Sequence, residues 1–133
     1  MSQPVWYLAH PVAPDDRYTY EQNMAHTLKV IGILMDAGVR VVAPWHTLCL
    51  CLDESNPDNR RLGLEIDCYV ASALKRIILT GHKVSHGMKQ EVQAIAKLGE
   101  EGWIIDVVGV SDEFLALAVT DMIKDPDKYE TNA

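Results

Sequence analysis

Short apolar runs alternate along the chain with longer stretches of helical period. Val5-Trp6-Tyr7-Leu8-Ala9 is a run of strand formers stopped by His10-Pro11. After a polar loop, Pro14-Asp15-Asp16-Arg17, apolar residues recur at Met24, Leu28, Ile31 and Met35, which predicts a helix from about Tyr20 to Asp36 that Gly38 closes as a C-cap. Val39 to Ala43 reads as a second strand ended by Pro44. Trp45 to Leu52 is apolar without a clear period and reads as an irregular loop or a short helix. Turn residues Asp53 to Pro57 lead into a helix over about Asp58 to Leu74, with Leu62, Ile66, Val70 and Ala73 predicted to be its buried face. Arg76 to Leu79 is a third strand, broken by Thr80-Gly81. A helix from Ser85 toward Gly99 or Gly102 places Met88, Val92, Ile95 and Ala96 on its apolar side. Trp103 to Val108 is a fourth strand. Ser111 caps a last helix to about Ile123, with Asp112 and Glu113 suiting its positive end.

Strands alternating with helices of this length predict a parallel sheet covered on both faces. Right-handed crossovers restrict the topology, and a flavodoxin-like α/β three-layer sandwich with strand order 2-1-3-4 is the expected fold. Ligands bind such sheets beyond the carboxyl ends of the strands, where the order reverses. Here that point lies between strands one and three, at the loops His10 to Arg17 and Gly81 to Met88.

One residue in the helix after the second of these loops breaks the pattern. Glu91 lies three residues after Met88 and four before Ile95, so it borders the buried stripe while Lys89, Gln90, Gln93 and Lys97 form the solvated face. A carboxylate there is either tied up structurally or placed to act on a ligand. The same helix begins with free backbone N–H groups that suit an anion. Together they suggest a site for a phosphorylated sugar compound.

Composition narrows the partners. A chain of 133 residues, 48% hydrophobic, is most simply one domain, taken as 1–124 with a polar tail over 125–133. A net charge of −7 without any basic run argues against nucleic acid. No apolar segment reaches the roughly 18 residues that cross a bilayer. The start, Met1-Ser2-Gln3-Pro4, lacks a signal peptide's basic and apolar regions. Three cysteines without framework spacing, Cys49, Cys51 and Cys68, read as reduced thiols of a cytoplasmic protein. His46, Cys49 and Cys51 lack a fourth ligand, so neither a metal nor another cofactor is expected.

Two segments resemble the nucleoside 2-deoxyribosyltransferase-like superfamily. Tyr7-Leu8-Ala9-His10-Pro11 is similar to its opening Tyr-hydrophobic-Ala-Gly-Pro strand, and Ser85-x-Gly87-x-x-x-Glu91 resembles its Ser-x-Gly-x-x-x-Glu segment. The similarity runs from about Val5 to Val108. It looks closest to a small, often phage-associated branch of poorly defined role, which shares Leu52-Asp53-Glu54-Ser55-Asn56-Pro57 and Leu62-Gly63-Leu64. The resemblance implies that Glu91 is a nucleophile and that Asp67 contacts the sugar or passes a proton to the leaving base. His10 departs from the pattern, replacing the usual glycine, and the loop after it is not glycine-rich.

The chemistry so implied is cleavage of an N-glycosidic bond in a nucleoside or nucleoside 5′-monophosphate. Positive charge builds on the anomeric carbon, and a carboxylate stabilises it and then forms a glycosyl ester. Paired carboxyls in retaining glycosidases work in the same way. Tyr7 would hold Glu91 in place. Ser85 and the amides of Gly87 and Met88 would take a 5′-phosphate or 5′-hydroxyl, and His10, Asn23 and Trp45 would complete the pocket. The alternative is a binding protein that senses or sequesters a nucleotide-like ligand without turnover. In that superfamily a neighbouring subunit commonly completes the site, so a homo-oligomer, a dimer or higher, is expected.

Overall fold

The computed structural model describes residues 3–124; the tail expected over 125–133 lies outside them. Four strands, β1 (Val5–Ala9), β2 (Arg40–Val42), β3 (Arg76–Leu79) and β4 (Trp103–Asp106), pair in parallel in the order β2-β1-β3-β4. Tyr7 is in register with Val42 on one side and Ile77 on the other, and Ile78 with Ile105. Helices α1 (Tyr20–Asp36), α2 (Pro44–Cys51), α3 (Pro57–Leu74), α4 (His86–Ala96) and α5 (Asp112–Lys124) cover the sheet, with a short 3₁₀ turn at Gly99–Glu101. This is the flavodoxin-like α/β sandwich expected from the sequence.

Strand parity sorts the core into two clusters. Trp6, Leu8, Ile78 and Ile105 face Val30 and Leu34 of α1 and Leu115 and Val119 of α5. Tyr7, Ala9, Ile77 and Leu79 face Trp45 of α2, Ala71 of α3 and Met88 and Ile95 of α4. The sheet is therefore buried on both sides, as parallel sheets are.

Helix starts follow their caps. Thr19 accepts from the Gln22 amide while the Gln22 side chain accepts from the Thr19 amide, a reciprocal box that opens α1. Asn56 caps α3 ahead of Pro57, and Lys75 ends α3 in the left-handed region at φ 65°. The segment from Trp45, aperiodic in sequence, forms the short helix α2 with Pro44 in its first turn.

Two helices are rotated from their predicted faces. In α1, Leu28 and Met35 are exposed, and the buried residues are Asn23, Met24, Thr27, Val30 and Leu34. Asn23 and Thr27 bury polar groups because each finds a backbone partner: Asn23 Nδ2 donates to the carbonyls of Val12 and Ala13, and Thr27 Oγ1 to that of Asn23. In α3 the buried stripe is Gly63, Asp67 and Ala71, leaving Leu62, Ile66 and Ala73 exposed and Val70 half-buried. Small residues bring α3 close to its neighbours, and the stripe they make is less hydrophobic than the one beside it. In α4, Glu91 is itself in the buried row with Met88 and Ile95, and Ala96 is exposed.

Strand ends were one or two residues shorter than expected. Ala43 precedes α2 as its N-cap, and Val107 and Val108 fall outside β4.

Candidate functional site

The carboxyl ends of β1 and β3 open onto a hollow of about 650 Å³ on the α2–α3–α4 side. That volume suits a small-molecule ligand. Glu91, Asp67, Trp45 and His10 line it together with Ser85, Gly87 and Met88 at the start of α4. Tyr7 stands beneath it: its odd position on β1 turns the ring toward α4, where its hydroxyl donates to Glu91 Oε2.

Three titratable groups thus converge from three elements. Glu91 is 5% exposed and Asp67 8%, and among the described residues neither has a basic partner. Asp67 Oδ1 is buried with no hydrogen-bond partner among those residues. Burial therefore dominates both acids. It pushes Glu91 up to about 8, opposed by the Tyr7 hydrogen bond and reinforced by the charge of Asp67. It pushes Asp67 up to about 7. The Tyr7 phenol is driven far above its usual range, first by burial and then by Glu91, so it remains a donor.

The start of α4 is arranged more tightly than its sequence suggests. Ser85 Oγ accepts from the Met88 amide at 3.3 Å, and the Ser85 amide donates to Met88 Sδ at 3.3 Å. Ser85 and Met88 thereby satisfy one another, and the amides of His86 and Gly87 are the ones left at the helix start. Trp45 Nε1 donates to the Leu8 carbonyl at 2.8 Å, fixing the indole as a wall. Asn23 lies outside this lining, and its side-chain amide pins the loop after β1. His10 borders the hollow, but its even position continues the parity of Trp6 and Leu8 and directs its ring nitrogens elsewhere. Both its ring nitrogens are engaged, with the Pro11 carbonyl and with His26, each at 2.7 Å.

The lining also includes Asn59, Arg60 and Arg61. Their signal was the spacing of α3: Arg60, Gly63 and Asp67 recur on one face of the helix. Arg61 is drawn to Asp58 at 3.3 Å, and Arg60 is the lining arginine with no ion pair to a described residue. Just after β3, Gly81 adopts φ +91°, and a Cβ there would collide with the Pro11 ring. The turn after β3 can close onto the end of β1 only with glycine.

His46 and the cysteines are engaged separately. His46 Nε2 pairs with the Met24 carbonyl at 3.2 Å, and Cys49 Sγ donates to Glu54 at 3.0 Å. Among the described residues no group of three or more His, Cys, Asp or Glu could hold a metal ion. None of the described helices is long and apolar enough to cross a membrane.

Fold and site together define a flavodoxin-like α/β domain with a buried, uncompensated pair of carboxyls at its topological switch point. Residues 4–103 match the family model described as a domain of unknown function, DUF7768, and the chain belongs to that family. No curated protein and no solved structure matches it.

Proposed function

We propose that the protein cleaves the N-glycosidic bond of a nucleoside or nucleoside 5′-monophosphate through a covalent glycosyl–Glu91 intermediate. One observation carries this reading: beside a ligand-sized hollow two acids are buried with no ion-pair partner among the described residues, one of them held by a tyrosine hydroxyl. Burying acids this way destabilises a fold, and structural carboxylates are normally paired.

In the first step the anomeric C–N bond breaks and its electron pair stays on the base nitrogen. That nitrogen takes the proton of Asp67, whose carboxyl burial raises to about 7, so that a protonated fraction is present near neutrality. A Glu91 oxygen forms the new bond to the anomeric carbon, while the Tyr7 hydroxyl steadies the carboxylate. In the second step water attacks the same carbon, the ester bond to Glu91 breaks, and Asp67 recovers a proton from the water. A second base in place of water gives transfer. The His86 and Gly87 amides with Arg60 offer a place for a 5′-phosphate. Cysteines without disulfides suit work in the cytoplasm.

A second reading, ligand binding without turnover, draws on the same acids. A Glu91 pKa of about 8 leaves much of that carboxyl protonated at neutral pH, where it would hydrogen-bond a sugar rather than attack it. Incubation with a panel of deoxy- and ribonucleosides and their 5′-monophosphates separates the two. Released base supports catalysis. A raised melting temperature with no released base supports binding alone.

A homo-oligomer is part of the proposal. Leu62, Ile66 and Tyr69, the last 77% exposed, form an apolar stripe on the outer side of α3, beside the mouth of the hollow. Tyr69→Lys is expected to lower the mass seen by light scattering to that of one chain; an unchanged mass would remove this surface from the assembly.

A further inference from the structure

On the opposite side of the same sheet edge lies a second hollow of about 540 Å³, bordered by Arg17, Tyr18, His26, His82, Ser111 and Asp112 among others. His10 is a wall common to both hollows.

Hydrogen-bond bookkeeping fixes the charges around it. His10 Nδ1 lies 2.7 Å from the Pro11 carbonyl. A carbonyl only accepts, so Nδ1 carries a proton. Burial holds the ring neutral, with its pKa lowered to about 4, so Nε2 is bare and accepts from His26 Nδ1 at 2.7 Å. His26 Nε2 faces the Asp112 carboxylate at 2.8 Å and must donate as well. His26 thus bridges the buried His10 ring and the Asp112 carboxylate.

Asp112 has a second basic partner, Lys29, at 3.2 Å. Asp15 likewise holds His82 at 2.6 Å and Lys83 at 2.9 Å. Arg17 remains over. Among the described residues its guanidinium pairs with no carboxylate and lies 5.4 Å from the centroid of the Tyr18 ring. Arg17 is the one arginine or lysine of the lining, and the one lining carboxylate, Asp112, is already held by His26 and Lys29. A phosphate monoester, with a charge of about −1.5 to −2 near neutral pH, is an anion that such a free guanidinium can hold. Tyr18 and His82, edge to face with centroids 4.7 Å apart, supply flat surfaces for an organic group.

The geometry points to a second ligand site that binds a small phosphate monoester, its phosphate on Arg17 and its organic part against Tyr18 and His82. The Ser111 hydroxyl, at the start of α5, lies within reach of the same hollow. The site does not depend on what Glu91 does. Its occupant would touch the far side of His10 and so adjoin the first hollow.

The test is an amide-resolved NMR titration with phenyl phosphate, which carries no sugar, and inorganic phosphate as the second arm. Saturable shifts are expected at Gly81, Gly109 and Ser111, weaker with inorganic phosphate because the ring contacts are lost. Arg17→Ala, at an exposed position, should keep the fold and weaken binding about tenfold or more. Glu91→Gln should leave it unchanged, which separates this site from the proposed reaction. No saturation by about 10 mM, shifts confined to His86 and Gly87, or full affinity in Arg17→Ala would each overturn the assignment.

Discussion

The two sides of the sheet edge treat acids in opposite ways. On the α1–α5 side, Asp15 and Asp112 each hold two basic groups, and both carboxyls sit below their usual range, Asp15 chiefly through His82 and Asp112 through His26 and Lys29 against the opposing effect of burial. On the α3–α4 side, Asp67 and Glu91 have no ion-pair partner among the described residues and are raised by burial. The residue types are the same and the sheet edge is shared. What differs is whether the fold supplies a counter-charge. An acid with partners is a permanent anion that organises its surroundings. An acid without them has its proton within reach near neutral pH, which proton transfer requires.

The sharpest way to break this contrast is to remove the unpaired acids. Glu91→Gln should lower base release by about a thousandfold or more while the fold persists, measured as initial rates with the best nucleoside of the panel. Asp67→Asn should cost about a hundredfold, the usual range for a lost proton donor, and should abolish the alkaline fall in rate.

The wild-type profile should itself be bell-shaped. Activity needs Glu91 ionised and Asp67 protonated, and the raised values place the optimum between about 7 and about 8. The two limbs belong to the coupled pair rather than to either residue. A flat profile across that interval would contradict the assignment.

Stability gives an independent reading. Both acids bind their proton more tightly in the folded chain than in the unfolded one, where carboxyls titrate near about 4. Their contribution to stability therefore falls as pH rises from that value through about 7 and about 8, then levels off. Glu91→Gln escapes this loss. It should melt roughly 3–8 °C above wild type at pH 9 and show little difference at pH 5. Asp112→Asn, on the compensated side, should show the reverse sign: a fall of about 1–3 °C at pH 7, where the partners of an ionised group are lost. Equal behaviour of the two variants would erase the distinction between the two sides.

Much of the scaffold was legible in the sequence, because strands and helices alternate cleanly and crossovers have one hand. Glu91 was legible too, as an acid at the margin of the Met88–Ile95 stripe. Asp67 was less so: the periodic apolar residues Leu62 and Ile66 marked the wrong face of α3, since the buried row is built on Gly63 and Ala71. Asn23 illustrates the same limit in α1, a polar residue buried because loop carbonyls wait for it. The His10–His26–Asp112 chain left no local signal. Its members are separated by 16 and 86 residues, and only the meeting of β1, α1 and α5 brings them together.

The most direct measurement is mass spectrometry of the intact protein after reaction with a 2′-fluoro-arabino nucleoside, whose fluorine slows release of the sugar from an ester. The account predicts a mass gain of one fluorinated glycosyl group, mapped to the peptide containing Glu91 and absent from Glu91→Gln. Base released with no adduct at Glu91, or an adduct mapped to another residue, would contradict it.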